Sequence, residues 1–142
     1  MMNDAQLIAH ALEARKNAWV PYSHFAVGAA LLCDDGALYC GCNIENAAYS
    51  PGNCAERTAF FKAISEGQRS FAAIAVAGGA CNCLPTEYVF PCGVCRQVMQ
   101  EFCRPDFRVI VAIDPRRFDS WQLHTLLPHS FGREQLVHQE EG

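Results

Sequence analysis

Residues 53–77 read NCAERTAFFKAISEGQRSFAAIAVA, which joins a helix pattern to a strand pattern. The first half carries apolar residues at helical spacing, with Asn53 as the predicted N-cap and Gly67 as the predicted end. Residues 71–77 are continuously apolar, which is typical of a strand buried on both faces of a sheet. A helix that leads into such a strand predicts an α/β fold.

The same pairing of helix and strand recurs downstream, and a hairpin precedes it. Asp34-Asp35-Gly36 is a tight-turn signal between two apolar runs, so it predicts an antiparallel β-hairpin. The predicted elements outside 53–77 are a helix over 4–19, hairpin strands over 25–32 and 37–42, a helix over 91–102 that Pro91 opens, a strand over 107–113, and a short helix over 123–127 that Pro128 ends. The order α-β-β-α-β-α-β predicts helices covering a mixed sheet, with the later strands parallel.

The composition describes a single domain, residues 1–142, and excludes several classes of protein. The 142 residues are 51% hydrophobic and 18% charged, which suits one packed domain. The formal charge of −4 argues against nucleic acid as a partner, because phosphates require many Lys and Arg residues. Residues 1–18 lack the continuous apolar core of a signal peptide, and no apolar run is long enough to cross a bilayer. We therefore expect a cytoplasmic protein that acts on a small neutral ligand, with no membrane as partner.

Nine cysteines are a high count for a chain without an export signal. Thiols stay reduced in the cytoplasm, so clustered cysteines favour metal binding or catalysis over disulfides. Cys92 and Cys95 are three residues apart at the start of a predicted helix, and Cys54 lies at the start of another. Because helix N-termini favour thiolates, these three sulfurs are the candidate ligands of one zinc ion.

Three protein ligands leave the fourth tetrahedral position open, which is typical of a catalytic zinc that holds a water. Glu56, at the start of its helix, is the candidate general base for that water. Arg57 is three residues after Cys54 on the same helical face, and its cation is a candidate for offsetting thiolate charge. A closed structural site remains the alternative, with a fourth ligand from one of the other cysteines: Cys33, Cys40, Cys42, Cys81, Cys83 or Cys103.

These residues match the signature of zinc nucleoside and nucleotide deaminases, H-x-E followed by P-C-x-x-C, in its variant with three cysteines. The match extends over nearly the whole chain. The segments that resemble the small homotetrameric cytidine deaminases are PYSHF (21–25), GCNIENA (41–47), CAERTA (54–59), PCGVCRQ (91–97) and LLPHSF (126–131). The resemblance implies an α/β fold of the cytidine deaminase type, a three-layer α-β-α sandwich with a mixed five-stranded sheet.

The resemblance also implies a reaction and the residues that perform it. Cytidine and deoxycytidine are hydrolysed to uridine and deoxyuridine in pyrimidine salvage. Hydroxide on zinc adds to ring C4, Glu56 shuttles protons, and ammonia leaves. The implied ligands of one zinc ion per chain are Cys54, Cys92 and Cys95, and the implied substrate contacts are Phe25, Asn43, Glu45, Tyr49, Ala55 and Phe131. Since neighbouring subunits complete each active site in this family, Tyr49 and Phe131 are expected to act in an adjacent protomer of a homotetramer.

Other functions and sites remain open at this point. A deaminase for a cytosine-containing antibiotic such as blasticidin S shares the zinc motif, although Asn43-Ile44-Glu45-Asn46 favours a ribose and hence a nucleoside. A polynucleotide-editing deaminase would need basic, aromatic-rich insertions that this acidic chain lacks. A non-catalytic zinc module would close its site with a fourth thiolate. A second, structural zinc held by Cys40, Cys42, Cys81 and Cys83 is a further alternative.

Overall fold

The computed structural model describes residues 1–136, so residues 137–142 of the predicted domain lie outside the described residues. The helices are α1 (Asp4–Ala14), α2 (Ala55–Ser65), α3 (Gly93–Phe102) and α4 (Leu123–Leu126), and 3-10 turns cover Arg15–Asn17 and Arg133–Gln135. The strands are β1 (Phe25–Cys33), β2 (Leu38–Cys42), β3 (Phe71–Ala80), β4 (Arg108–Asp114) and β5 (Arg117–Gln122). Within the described residues, no helix has the length and apolar character that a membrane span requires.

The five strands form one mixed sheet in the order β2-β1-β3-β4-β5. β1 pairs antiparallel with β2 and β3, β3 pairs parallel with β4, and β4 pairs antiparallel with β5. The predicted hairpin and the predicted parallel strands are therefore confirmed. The sequence patterns indicate only four strands, because β5 is a polar, largely exposed edge strand without the apolar run that marks the others. The fifth strand follows only from the family resemblance.

Helices cover both faces of the sheet. On one face, α1 packs through Leu7 and Ile8 against small and branched residues of the central strands. On the other face, α2 and α3 cover a larger core, in which the ring centroid of Phe60 lies 5.2 Å from that of Phe71 and 6.0 Å from that of Phe107. Burying one side chain of this size contributes about 1.5–3 kcal/mol to folding. The three-layer α-β-α arrangement is thus confirmed.

Two glycines allow the helices to lie directly on the sheet. A Cβ atom at Gly28 would lie 2.0 Å from the carbonyl oxygen of Ala11 in α1. A Cβ atom at Gly41 would lie 2.4 Å from the carbonyl oxygen of Ala55 in α2. The second close approach holds the first residue of α2 against the end of β2, and so it positions the N-terminus of α2.

The first helix is shorter than the predicted helix over 4–19. Its last residue is Ala14, and Arg15 begins a 3-10 turn. Arg15 is buried, and its guanidinium donates four hydrogen bonds of 2.9–3.1 Å to the carbonyl oxygens of Ala26, Gly79, Ala80 and Cys83. These carbonyls come from distant parts of the chain, so a local helix pattern cannot show that the helix ends here.

Candidate metal and catalytic site

The three candidate metal ligands lie where α2 and α3 begin. Cys54 is the N-cap of α2, Cys92 is the N-cap of α3, and Cys95 lies in the first turn of α3. The predictions of Asn53 as the cap and of Pro91 as the first helical residue were both wrong. Neither N-cap cysteine caps the backbone N–H groups of its own helix with its side chain, which leaves the sulfurs to face one another across the two helix ends.

The three sulfur atoms form one cluster. Sγ of Cys92 lies 3.8 Å from Sγ of Cys54 and 3.6 Å from Sγ of Cys95, and all three lie within 4.8 Å of one another. Across residues 1–136, no fourth cysteine, histidine or carboxylate joins this cluster. In the same range, the alternative second zinc site is not formed by its proposed ligands, which were Cys40, Cys42, Cys81 and Cys83.

The protonation of the cluster suits a divalent cation. A hydrogen bond with Cys95, and then one from Arg57, lower the pKa of Cys54 to about 5. The hydrogen bond to Cys54 and burial raise the pKa of Cys95 well above its ordinary value. One thiolate is stabilised while its neighbour keeps a proton, because adjacent thiolates repel each other. Three closely grouped sulfurs fit zinc, which favours thiolate ligands and would offset the repulsion between them.

Glu56 supplies a buried carboxyl group beside this cluster. Glu56 is the second residue of α2, and only 4% of its surface is exposed. Burial, followed by the charge of Cys54, raises the pKa of Glu56 to about 7, and Cys95 is close enough to hydrogen-bond with it. A carboxyl group with a pKa near neutrality can both take and give a proton, which general acid–base catalysis requires.

Arg57 contacts the cluster directly. Its Nη2 donates a hydrogen bond of 3.2 Å to Sγ of Cys54, and this bond raises the pKa of Arg57. Its Nε is buried and has no hydrogen-bond partner within the part of the chain that the structure describes. The position of Arg57 on the same face as Cys54 is confirmed, whereas its effect on reactivity stays a prediction.

A cleft of about 610 Å³ opens beside the cluster. Cys54 and Arg57 line it together with residues of the loop that follows β2. That loop contributes Asn43, Glu45 and Tyr49 to the lining, so these three predicted substrate contacts share one cleft with the metal cluster.

Three other predicted substrate contacts, Phe25, Ala55 and Phe131, are not among the described residues that line the cleft. Ala55 is fully buried as the first residue of α2, and Phe25 begins β1 with 40% of its surface exposed. Phe131 is 58% exposed and is not among the described residues that line the cleft. Tyr49 is 98% exposed and lines the cleft of its own chain. The roles of Tyr49 and Phe131 in an adjacent protomer stay predictions.

Asn43 is held by the backbone of β1, and Glu45 is held by the residues just before β1. Oδ1 of Asn43 accepts from the N–H of Val27 at 2.9 Å, and Nδ2 donates to the carbonyl oxygen of Phe25 at 2.8 Å. Oε1 of Glu45 accepts from the N–H of Ser23 at 3.1 Å, and the Ser23 hydroxyl donates to Oε2. The hydrogen bond from this hydroxyl is the largest cause of a lowered pKa at Glu45. Glu45 is thus an oriented, charged acceptor with lone pairs left for a ligand.

Sequence reasoning assigned no role to Ser23 or Arg96. Ser23 orients Glu45, as described above. The Arg96 guanidinium donates to the carbonyl oxygens of Pro91 and Leu126, each at 2.7 Å. Both residues lie inside segments that carry the family resemblance, which is the signal that could have identified them.

Comparisons with known proteins show which family the chain is similar to. The family model described as "Cytidine and deoxycytidylate deaminase zinc-binding region" matches residues 1–112. The chain is 50% identical over 141 residues to a cytidine deaminase of Sporosarcina psychrophila, with 99% of each chain covered. It is 47% identical over 135 residues to a cytidine deaminase of Halalkalibacterium halodurans, with 95% of this chain and 98% of that one covered. The crystal structure of a cytidine deaminase from Burkholderia pseudomallei superimposes with a TM-score of 0.82 at 44% identity, covering 92% of this chain and 100% of that one.

Proposed function

The chain belongs to the cytidine and deoxycytidylate deaminase family, and we propose from this premise that it is a cytidine deaminase. It hydrolyses cytidine and deoxycytidine to uridine and deoxyuridine and releases ammonia. The observation that carries the proposal is the buried carboxyl group of Glu56 beside three clustered sulfurs at the edge of an open cleft. A carboxyl group without a salt-bridge partner is costly to bury, so its retention there indicates chemistry rather than stability.

The zinc ion of this proposal is held by Cys54, Cys92 and Cys95. When bound, zinc supplies a Lewis acid that lowers the pKa of water by several units. Each ligand comes from a helix start, where the helix dipole and the backbone N–H groups favour the thiolate form. The cluster is therefore preorganised by the two helices before any metal arrives.

Glu56 moves the protons of the reaction. The carboxylate takes a proton from the attacking water and delivers it to ring N3, which makes C4 more electrophilic. The carboxylate then takes the proton of the hydroxyl group now on C4 and delivers it to the amino group. The C4–N bond breaks, the C4 carbonyl forms and ammonia leaves. Both transfers are served by a pKa near neutrality, because the group is then a competent base and a competent acid at the same pH.

Arg57 tunes the charge of the sulfur cluster. Three thiolates make the zinc unit formally anionic, which weakens the acidity of the attacking water. The 3.2 Å hydrogen bond from Arg57 withdraws charge from Cys54 and offsets this effect. The guanidinium acts through the ligand and not on the substrate.

The cleft binds the nucleoside. Asn43 and Glu45 hydrogen-bond the ribose, mainly its 3′-hydroxyl, and both side chains are already oriented by backbone contacts. Phe25 packs against the pyrimidine from the start of β1, and the family resemblance assigns Ala55, at the start of α2, to the substrate site. A neutral nucleoside suits the acidic charge of the chain, whereas a polyanionic strand does not.

The assembly in this proposal is a homotetramer in the cytoplasm, with Tyr49 and Phe131 placed in neighbouring active sites. Large hydrophobic side chains that are more than half exposed in the single chain include Trp19, Tyr22, Val94 and Phe131, and such exposure is typical of an interaction surface. A hollow of about 400 Å³ along α2, lined by Ile44, Pro51 and Phe61 among others, adds apolar surface. The nine free thiols suit a reducing compartment.

An ultraviolet assay tests the proposed function. The purified protein should convert cytidine and deoxycytidine and release one ammonia per turnover. Chelation of zinc should abolish conversion, and added zinc should restore it. Blasticidin S and a cytosine-containing single-stranded oligonucleotide serve as competing substrates, and both should react far more slowly. A protein with full zinc content that leaves both nucleosides unchanged would overturn the proposal.

A further inference from the structure

Two consecutive side chains of α3 hold the segment formed by residues 126–132. Nη1 of Arg96 donates to the carbonyl oxygen of Leu126 at 2.7 Å, and Nε2 of Gln97 donates to the carbonyl oxygen of Phe131 at 2.8 Å. A Cβ atom at Gly132 would lie 2.9 Å from Nε2 of Gln100, so the segment also packs closely on the next turn of the helix. The segment is therefore fixed to α3 near both of its ends.

The same Arg96 side chain also hydrogen-bonds to the turn that precedes Cys92, one of the candidate metal ligands. Its Nε donates to the carbonyl oxygen of Pro91 at 2.7 Å, and Pro91 is buried and directly precedes Cys92. A guanidinium presents its donors in a rigid planar fork, so one side chain can hold two carbonyl oxygens in a fixed relation. Without this partner, a buried carbonyl group would remain unsatisfied, and the turn would shift to reach water.

We propose that Arg96 is a positioning residue that couples the turn carrying Cys92 to segment 126–132, and that Gln97 fixes Phe131 on that segment. The inference rests on the proposed function, because the metal ligand and Phe131 take their roles from it. It goes further by linking the metal site of a chain to the aromatic ring that the chain presents to a neighbouring active site. Arg96 acts through Cys92 and Leu126 and does not contact the substrate.

Cobalt(II) substitution gives a readout of ligand geometry that does not depend on turnover. In Arg96→Gln and Arg96→Lys, the d–d and sulfur-to-cobalt absorption bands should change in position or intensity, because Cys92 is no longer held in place. Zinc transfer to a chromogenic chelator should become faster, because loss of a residue that supports a metal ligand typically lowers metal affinity about 10–100-fold. Hydrogen exchange in residues 126–132 should also rise.

Arg104→Lys is the matched control for the Arg96 variants. Arg104 follows α3 and pairs with the surface carboxylates of Asp34 and Asp106 at 3.6 and 3.4 Å. The control should keep the cobalt spectrum, the rate of zinc release and the hydrogen exchange of the wild type. Thermal unfolding of all variants separates a local effect from a general loss of stability.

Gln97→Ala separates the two halves of the proposal. Removing the hydrogen bond to Phe131 should raise KM for cytidine about three- to tenfold, with kcat and the cobalt spectrum unchanged. Arg96→Gln should change both KM and the cobalt spectrum, because the Arg96 side chain contacts both the turn that carries Cys92 and segment 126–132.

Two results would overturn the inference. One is a folded Arg96→Gln protein with wild-type cobalt bands and a wild-type rate of zinc release. The other is a Gln97→Ala protein with a wild-type KM. Failure of the proposed function would differ from both of these results. The wild-type protein would then be inactive on cytidine, while the cobalt spectra would still show whether Arg96 holds Cys92 in place.

Discussion

The metal cluster and the substrate cleft differ in how completely a single chain encloses each of them. Cys54, Glu56 and Arg57 occupy the cap and the first turn of one helix, and Glu56 is only 4% exposed. Most of the residues that line the cleft belong to the loop that follows β2, and Tyr49 of this loop is 98% exposed. The metal cluster is therefore set by the starts of two helices of one chain, whereas the cleft has a wall that the described residues leave exposed.

This difference predicts different kinetic signatures for the two regions. A group that acts on the reacting atoms lowers kcat when it is removed, because its contribution is made in the transition state. A group that holds the nucleoside equally in the ground state and in the transition state mainly raises KM. Substitutions in the metal region should thus change kcat, and those at the cleft wall should change KM.

Glu56→Gln should have the largest effect. The amide keeps the size of the side chain but cannot carry protons, so kcat should fall by about 10²–10⁴-fold. The measurement is steady-state deamination of cytidine, together with the zinc content of the purified protein. Zinc should remain at one ion per chain, because the three cysteines are untouched.

Glu66→Gln is the matched control for this substitution. Glu66 is the C-cap at the other end of α2 and accepts a hydrogen bond of 3.3 Å from the Tyr39 hydroxyl. The Glu66→Gln protein should retain the wild-type kcat. A Glu56→Gln protein that deaminates cytidine at near the wild-type rate would remove the assignment of proton transfer to this residue.

The sequence predicts each half of the metal region well because each half is local to one helix start, although the contact between Cys54 and Cys92 joins residues that are 38 apart. A C-x-x-C pair at a helix start places both sulfurs on one side of that start, and three residues place Arg57 on the face of Cys54. The predicted N-cap of α2 was wrong. Asn53 is a good capping residue by type, but its side chain donates to Thr58 at 3.4 Å instead. Cap identity depends on such contacts, which a propensity does not contain.

The sequence predicts the cleft less completely because its contacts join distant segments. Spacing alone cannot choose between Asn43 and Asn46, and the choice came from the family resemblance. The partners of Glu45 lie 22 residues away at Ser23, and those of Arg96 lie up to 30 residues away. The polar edge strand β5 was missed by pattern for a related reason, since its pairing with β4 and not its own hydrophobicity defines it.

Arg57→Gln tests how far the metal region depends on charge. Loss of the cationic hydrogen bond to Cys54 should lower kcat about tenfold while zinc is retained, because hydrogen bonds to charged groups contribute about 1.5–3 kcal/mol. Arg69→Gln is the control, since Arg69 donates to the carbonyl oxygens of Ile64 and Gln68 at the far end of α2. An unchanged kcat in the zinc-loaded Arg57 variant would assign Arg57 to packing alone.

Tyr49→Ala should have the smallest effect on the kinetics. It tests the exposed wall of the cleft. An aromatic ring beside a bound nucleoside contributes about 0.5–1.5 kcal/mol, so KM should rise about two- to tenfold with little change in kcat. Leu84→Ala is the control, because Leu84 is 81% exposed and is not among the described residues that line the cleft.

Co-expression of Tyr49→Ala with Glu56→Gln decides which cleft Tyr49 serves. If the ring acts in an adjacent protomer, a mixed assembly contains sites that combine an intact Glu56 with an intact Tyr49 from the neighbour. Part of the activity should then show the wild-type KM. If the ring acts in the cleft of its own chain, every site with an intact Glu56 lacks it, and only the raised KM should be observed. The second result would show that the cleft, like the metal region, is completed by its own chain at this position.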